Sequence, residues 1–168
     1  PAMAGRLTTE GYDFVDDDAD PNEAANGLDD DNDGLVDEMA GHGTFVAGLV
    51  TLVAPDAQIM ALRVLDSDGV GRAFLLAEAI QYAVQHGADV INVSLSIPYY
   101  SRALENALKD ANKRGVVVVA AAGNDSRSNR SYPAAIQPVI AVGATNDEDQ
   151  RADYSNFGDW VDIAAPGD

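Results

Sequence analysis

The feature that most constrains the fold is an alternation of continuously apolar segments with amphipathic ones. The apolar segments are strand-sized, and the clearest helical segment, from Ser101 to Arg114, keeps its apolar residues on one face. Strands that are apolar throughout are typical of a parallel sheet covered on both faces. The sequence therefore predicts an α/β fold: three-layer, doubly wound, with a mainly parallel sheet and helices on both faces. The predicted strands are 58–65, 89–95, 116–121, 138–144 and 161–165, and the predicted helices are 45–53, 72–86 and 101–114, with the first four strands in one sheet and 45–53 a buried helix.

Composition narrows the classes of function. The chain has 168 residues, enough for one compact domain, and no apolar run long enough to span a membrane. Its formal net charge of −18 argues against nucleic acid and anionic membranes as partners. Cysteine is absent, which excludes disulfides, thiolate zinc sites and cysteine catalysis.

A histidine stands between two glycines at the start of an apolar helical segment, in the stretch GHGTFVAG over residues 41–48. Flanking glycines leave the ring of His42 unobstructed, and a near-neutral pKa suits imidazole to proton transfer. A helix-start turn that happens to contain a histidine explains the motif equally well.

A second candidate lies where a predicted strand ends in Gly123 and Asn124. The side-chain N–H of an asparagine at a strand terminus is a suitable donor to the oxyanion that develops in acyl transfer. Taken alone, the segment is better explained as a turn, because Gly-Asn-Asp-Ser is favourable turn chemistry.

Residues 10–40 form an acidic region that we expect to be a long loop. Between Glu10 and Glu38 the sequence has 13 acidic residues and neither lysine nor arginine. Alternate carboxylates followed by a glycine suit a loop wrapped around a hard cation, and we therefore predict structural calcium. The twelfth position of a helix–loop–helix calcium site would be Ala40, so the usual bidentate glutamate is missing, and a solvated acidic loop is the alternative. The predicted ligands are Asp29, Asp31, Asp33, Asp37 and Glu38.

Six blocks in fixed order resemble the subtilisin family of serine proteases. They are GHGTFVAG (41–48), VAPDAQIMALRVLDSDGVG (53–71), GADVINVSLS (87–96), VVVVAAAGND (116–125), YPAA (132–135) and YSNFGDWVDIAAPG (154–167). Together they cover nearly everything after residue 40. The resemblance implies that His42 is the triad histidine and Asn124 the oxyanion-hole asparagine. We expect both to face one cleft, because base and oxyanion donor must flank the same carbonyl.

The resemblance also implies two segments that pair with the substrate backbone. The second of them lies beside the primary specificity pocket and usually ends in glycine, where this chain has serine. The two implied segments are Gly69, Val70 and Gly71, and Ser94, Leu95 and Ser96.

The remaining triad residues have family settings that the printed sequence does not contain. The aspartate stands in Asp-Ser/Thr-Gly before the histidine, and the nucleophile stands in Gly-Thr-Ser-Met after the Ala-Pro-Gly block. We therefore expect residues 1–168 to be a single subtilisin-like peptidase domain, incomplete at both ends, with no serine-hydrolase activity by itself.

By resemblance, the function is that of a serine endopeptidase that hydrolyses peptide bonds through an acyl-enzyme and acts outside the cell. Its partners would be a polypeptide substrate and either missing flanking segments or a propeptide. The alternatives are a non-catalytic, calcium-stabilised fragment and a degenerate subtilase-like binding module. A dinucleotide site at Gly69–Gly71 is disfavoured, since the third glycine of that fingerprint would fall at Phe74.

Overall fold

The structure is a computed structural model that describes residue 3, residues 5–22 and residues 24–167. The chain divides into two compact units, Pro1–Ala79 and Ile80–Asp168, and one helix contains the boundary between them. No helix among the described residues combines the length and the apolar character needed to cross a membrane. The elements are β1 (Tyr12–Asp13), α1 (His42–Val53), β2 (Leu62–Arg63), α2 (Ala73–Gln85), β3 (Val90–Val93), α3 (Arg102–Lys113), β4 (Val117–Ala121), β5 (Ile140–Thr145) and β6 (Ile163–Pro166).

The second unit is built on a parallel sheet with the strand order β3-β4-β5-β6. In its register, Val90 lies opposite Val117, and Val93 lies opposite Ala120. Because all four strands run in the same direction, their carboxyl ends share one edge of the sheet. The segment 94–96 follows β3 and Asn124 follows β4, so the sheet brings both predicted site segments of this unit to that edge.

Helix α3 forms where the sequence predicts it. The hydroxyl of Ser101 accepts a hydrogen bond from the backbone N–H of Leu104 and caps the first turn. At the other end, Gly115 has a φ of 82°, a left-handed conformation that favours glycine and ends the helix. The helix packs against β4 with one fully apolar face. The buried residues of that face are Leu104, Ala107, Leu108 and Ala111.

The prediction for the first unit was wrong in two respects. One predicted strand is shorter than expected and lies in a different sheet, and one strand was not predicted. The predicted strand 58–65 shrinks to Leu62–Arg63, which pairs in parallel with Tyr12–Asp13 and is not a strand of the β3–β6 sheet. The partner strand β1 lies in the region that we expected to be loop only. It escapes detection because it is two residues long and stands next to turn-forming aspartates, so it has no periodicity to recognise.

Helix α1 was predicted, but its burial was not as expected. Only Thr51 of this helix is buried, whereas Phe45, Leu52 and Val53 are exposed by 66%, 77% and 85%. A helix that is apolar around its whole circumference is fully buried only when other helices or strands pack against every side of it. Among the described residues, no such cover encloses α1.

The strands β1 and β2 are held together by a buried ion pair. The carboxylate of Asp13 is 2% exposed and lies 2.6 Å from Nη1 of Arg63, which also contacts the exposed carboxylate of Asp16 at 2.7 Å. The other oxygen of Asp13 accepts hydrogen bonds from the backbone N–H groups of Val15 and Asp16. Desolvation of the Arg63 side chain lowers its pKa, but these carboxylate contacts outweigh that effect, so the pKa of Arg63 is raised. Asp13 therefore fixes both the pairing of β1 and the turn that follows it.

We expect Asp13→Ala to lower the free energy of unfolding by about 2–4 kcal/mol, because it leaves the Arg63 guanidinium with only the exposed carboxylate of Asp16 and removes the acceptor of the Val15 and Asp16 N–H groups. Asp16→Ala is the matched control, since it removes a contact to the same Nη1 from a carboxylate that is 65% exposed. Its loss should cost no more than about 1 kcal/mol. Urea denaturation measures both variants, and equal losses would contradict this role for Asp13.

Candidate active site and acidic loop

His42 is the first residue of helix α1. The preceding Gly41 has a φ of 91°, which only glycine adopts without strain, and this conformation turns the chain into the helix. The N–H of His42 donates to the carbonyl of Met39 at 3.0 Å, and the residue as a whole is half-buried. The backbone of His42 is thus fixed at a helix start between two glycines.

The segments 69–71 and 94–96, which are predicted to pair with the substrate backbone, are called the substrate edges. The edge at 69–71 is a tight turn that is fixed by hydrogen bonds to Asp66. One carboxylate oxygen of Asp66 accepts hydrogen bonds from the N–H groups of Asp68 (3.2 Å) and Val70 (2.8 Å). A Cβ on Gly71 would lie 2.7 Å from the carbonyl oxygen of Val64, so this position admits only glycine. The side chain of Val70 stays open to solvent. The segment therefore has a fixed backbone and an accessible outer side.

Three of the five predicted calcium ligands come together. Carboxylate oxygens of Asp29, Asp31 and Asp33 all lie within 4.8 Å of one another. Both oxygens of Asp29 accept backbone N–H groups, from Asp33 and from Gly34, each at 3.1 Å. Partial desolvation and the charges of Asp33 and Asp29 raise the pKa of Asp31, against the hydrogen bond that it accepts from the Asp33 N–H.

Asp37 and Glu38 are not part of this group. The carboxylate of Asp37 accepts hydrogen bonds from the N–H groups of Asn26 (2.8 Å) and Gly27 (2.9 Å), which close the loop on itself. The pKa of Glu38 is raised. A hydrogen bond from its own N–H lowers this pKa, but desolvation and the charges of Asp33 and Asp68 outweigh that effect.

Sequence reasoning missed Asp68, which anchors the acidic loop. This carboxylate is buried, and its two oxygens accept the backbone N–H groups of Asp30 and Asp37, each at 2.5 Å. A third link joins the N–H of Met39 to the carbonyl of Ser67 at 2.9 Å. The acidic loop is thereby tied to the turn that carries the predicted substrate edge. No local pattern distinguishes Asp68 from the turn-forming aspartates around it.

In the second unit, Asn124 is exposed on the loop after β4. The loop is organised by Asn156, which is only 3% exposed and which the sequence did not single out. The Oδ1 atom of Asn156 accepts the N–H groups of Asp125 (3.1 Å) and Arg127 (3.0 Å), and its Nδ2 donates to the carbonyl of Ala122 at 2.9 Å. The peptide groups around Asn124 are therefore fixed by hydrogen bonds to the buried side chain of Asn156, and Asn124 itself stays exposed.

The predicted edge at 94–96 lies beside this loop. It follows β3 directly, and Nδ2 of Asn92 donates to the hydroxyl of Ser94 at 2.9 Å. Just beyond it, Ile97 and Tyr132 exchange two backbone hydrogen bonds, of 2.8 and 2.9 Å. This antiparallel bridge joins the segment after β3 to the segment before the Tyr-Pro bond.

Comparison with known proteins decides the family. The model of the subtilase family (peptidase S8) matches residues 1–168. The chain belongs to the subtilase family. Among curated subtilases, it is 41% identical over 177 residues to the thermophilic serine proteinase of Bacillus sp. (strain AK1), with 99% of this chain and 40% of that protein covered. It is 39% identical over 167 residues to thermitase of Thermoactinomyces vulgaris, with coverages of 99% and 58%.

Solved subtilase structures confirm the predicted fold class. The crystal structure of a cold adapted subtilisin-like serine proteinase matches 99% of this chain and 57% of its own, with a TM-score of 0.82 and 34% identity. The crystal structure of a lanthipeptide protease matches with the same TM-score at 26% identity, over 99% of this chain and 51% of its own. The chain thus spans about half the length of the subtilases it matches, and the roles of His42 and Asn124 stay predictions.

We expect Asn156→Ala to destabilise the chain by about 1–3 kcal/mol, because Ala122 and the loop amides lose buried hydrogen-bond partners. Amide exchange of Asp125 and Arg127 should accelerate at the same time. The exposed Asn129 of the same loop provides the control, and Asn129→Ala should change neither quantity. Unchanged exchange at Asp125 in the Asn156 variant would show that this side chain does not hold the loop.

Proposed function

We propose that the protein is a serine endopeptidase in which this chain supplies the general base, the oxyanion donor and both substrate edges. The observation that carries the proposal is the subtilase match over all 168 residues, which includes the His42 and Asn124 blocks. Further support comes from two positions: His42 is the first residue of a helix, and Asn124 follows a strand at the carboxyl edge of a parallel sheet.

In the proposed reaction, His42 takes the hydroxyl proton of a serine contributed by another part of the domain, and that oxygen attacks a peptide carbonyl. Nδ2 of Asn124 donates a hydrogen bond to the oxyanion. His42 then gives its proton to the leaving amine, and water hydrolyses the acyl-enzyme by the reverse sequence. The backbones of residues 69–71 and 94–96 hold the substrate chain in an extended conformation.

A chimera tests these roles directly. This chain replaces the aligned part of thermitase, which it matches over 99% of its length, and thermitase provides the remainder of the domain. Relative to that chimera, His42→Ala should lower kcat by about four to six orders of magnitude, and Asn124→Ala by about 10²–10³-fold.

The other histidine of the chain is the control, and His86→Ala should leave kcat unchanged. Thermal unfolding verifies that each variant is folded. A folded His42→Ala chimera that retains its activity would exclude the proposed base.

We further propose that the acidic loop binds calcium through Asp29, Asp31 and Asp33. Carboxylate oxygens are the ligands that calcium prefers, and these three converge without a cationic side chain among their hydrogen-bonded partners. Gly34, with a φ of 94°, allows the sharp turn that brings them together. The bound ion would neutralise part of a loop whose carboxylates otherwise repel one another, and so would stabilise the fold.

Calcium should raise the thermal midpoint of the chain, because a ligand that binds only the folded form stabilises it. We expect Asp31→Asn to weaken calcium binding by about tenfold or more through the loss of a charged ligand. Asp147→Asn, which removes one charge from an exposed turn of the second unit, should leave it unchanged. Calorimetry that detects no calcium-dependent heat in the unsubstituted chain would contradict the site.

We also propose that the protein acts outside the cell. Support comes from a relative named minor extracellular protease Epr, of Bacillus subtilis (strain 168), which is 39% identical over 137 residues. That alignment covers 76% of this chain and 21% of the relative.

A further inference from the structure

The side chain of Asp68 joins the acidic loop to the substrate edge at 69–71. Its carboxylate is buried, and the residue is only 4% exposed. One oxygen accepts the N–H of Asp30 and the other accepts the N–H of Asp37, which precede Asp68 in sequence by 38 and 31 residues. A buried carboxylate needs donors in place of the water it has lost, and hydrogen bonds to a charged acceptor are among the stronger ones in proteins. The position of Asp68 is therefore coupled to a loop segment distant in sequence.

Met39 connects the same turn to the start of helix α1. Its N–H donates to the carbonyl of Ser67 at 2.9 Å, and its carbonyl accepts the N–H of His42 at 3.0 Å. Its side chain lies against the substrate edge, since a Cβ built on Gly69 would be 2.8 Å from Cγ of Met39. Met39 therefore contacts both this edge and the residue that we propose as the general base.

A short series of backbone hydrogen bonds leads from Asp68 to His42. The N–H of Asp37 donates to Asp68, and the carbonyl of Asp37 accepts the N–H of Ala40 at 3.1 Å. The turn between them contains Met39, which accepts the N–H of His42. Because each bond restricts the segment that follows it, a displacement at Asp68 should move the substrate edge and the first turn of α1 together.

Asp66 acts on the same turn in a different way. The two N–H groups that its side chain accepts, from Asp68 and Val70, reach the same oxygen, Oδ1. An asparagine at position 66 keeps an oxygen there and can accept both. At Asp68 each oxygen accepts a different N–H, so Asp68→Asn replaces one acceptor by an NH₂ donor that faces another donor. The same chemical change therefore has different consequences at these two positions.

We propose that Asp68 is a positioning residue that sets the backbone of the substrate edge at 69–71 and the position of His42 together. The inference rests on the proposed endopeptidase function, to which it adds a link between substrate binding and proton transfer. Asp68 acts through the acidic loop and Met39, not on the reacting atoms. Loss of one of its two hydrogen bonds should release both the edge and the start of α1.

Hydrogen exchange in the chain itself tests this link without any bond cleavage. NMR of the ¹⁵N-labelled chain follows the amides of Met39, His42 and Val70, and the amides of β4 provide a reference in the second unit. We expect Asp68→Asn to accelerate exchange at all three by about tenfold or more, because the segment opens locally, and to leave β4 unchanged. Asp66→Asn should leave all of these rates unchanged. Unchanged exchange at His42 in the folded Asp68→Asn chain, or equal acceleration in β4, would overturn the proposal.

The kinetics of the thermitase chimera distinguish positioning from a loss of folded protein. Asp68→Asn should raise KM for a peptide substrate, because the edge moves, and lower kcat, because His42 moves, each by about threefold or more. A variant that only folds less completely would lower kcat with KM unchanged, and that result would contradict the positioning role. Asp56→Asn is the control and should change neither constant, since it removes the same charge from a fully exposed side chain.

Should Asp68→Asn fail to fold, Met39→Ala provides a second test. It removes the side chain that lies against Gly69 and keeps both hydrogen bonds of Asp68, so exchange should accelerate at Gly69 and stay slow at Asp37. Unchanged exchange at Gly69 would then overturn the proposal. An inactive unsubstituted chimera would contradict the proposed endopeptidase function, whereas the exchange rates would still decide whether Asp68 joins the substrate edge to His42.

Discussion

The second unit depends on the parallel backbone pairing of β3, β4, β5 and β6. Parallel strands share one carboxyl edge, and every residue to which we assign a function in this unit follows a strand at that edge or is held against it. The substrate edge follows β3, and Asn124 follows β4. A slip of one residue between β3 and β4 would turn every side chain of the slipped strand to the opposite face and separate Ser96 from Gly123.

Single buried polar side chains then give each loop its shape. Asp13 holds the turn after β1, Asp68 fastens the acidic loop to the turn at 66–71, and Asn156 supports the loop that displays Asn124. Each accepts backbone N–H groups from the segment it fixes. A buried acceptor of this kind is costly to leave unpaired, so it specifies one loop conformation among many.

The parts that could be predicted from the sequence are those with periodicity or a distinctive motif. Helix α3 follows from its apolar face and its capping serine, and the second unit's strands follow from their apolar runs. The positions of His42 and Asn124 follow from the family blocks. Asp68 and Asn156 could not be found in this way, because their importance arises from contacts with residues distant in sequence. The strand β1 was missed for the same reason, since it is defined by its partner β2.

The most direct test of the account is the proximity of His42 to Asn124, because base and oxyanion donor must serve one carbonyl. The chain has no cysteine, so Asp125→Cys provides a single site for a nitroxide label. His86 is an internal control, since it precedes the amino end of β3, at the opposite end of the sheet from Asn124. We predict that the label broadens the imidazole NMR signals of His42 and leaves those of His86 sharp. Sharp signals from His42 in the folded, labelled chain would contradict a shared active site.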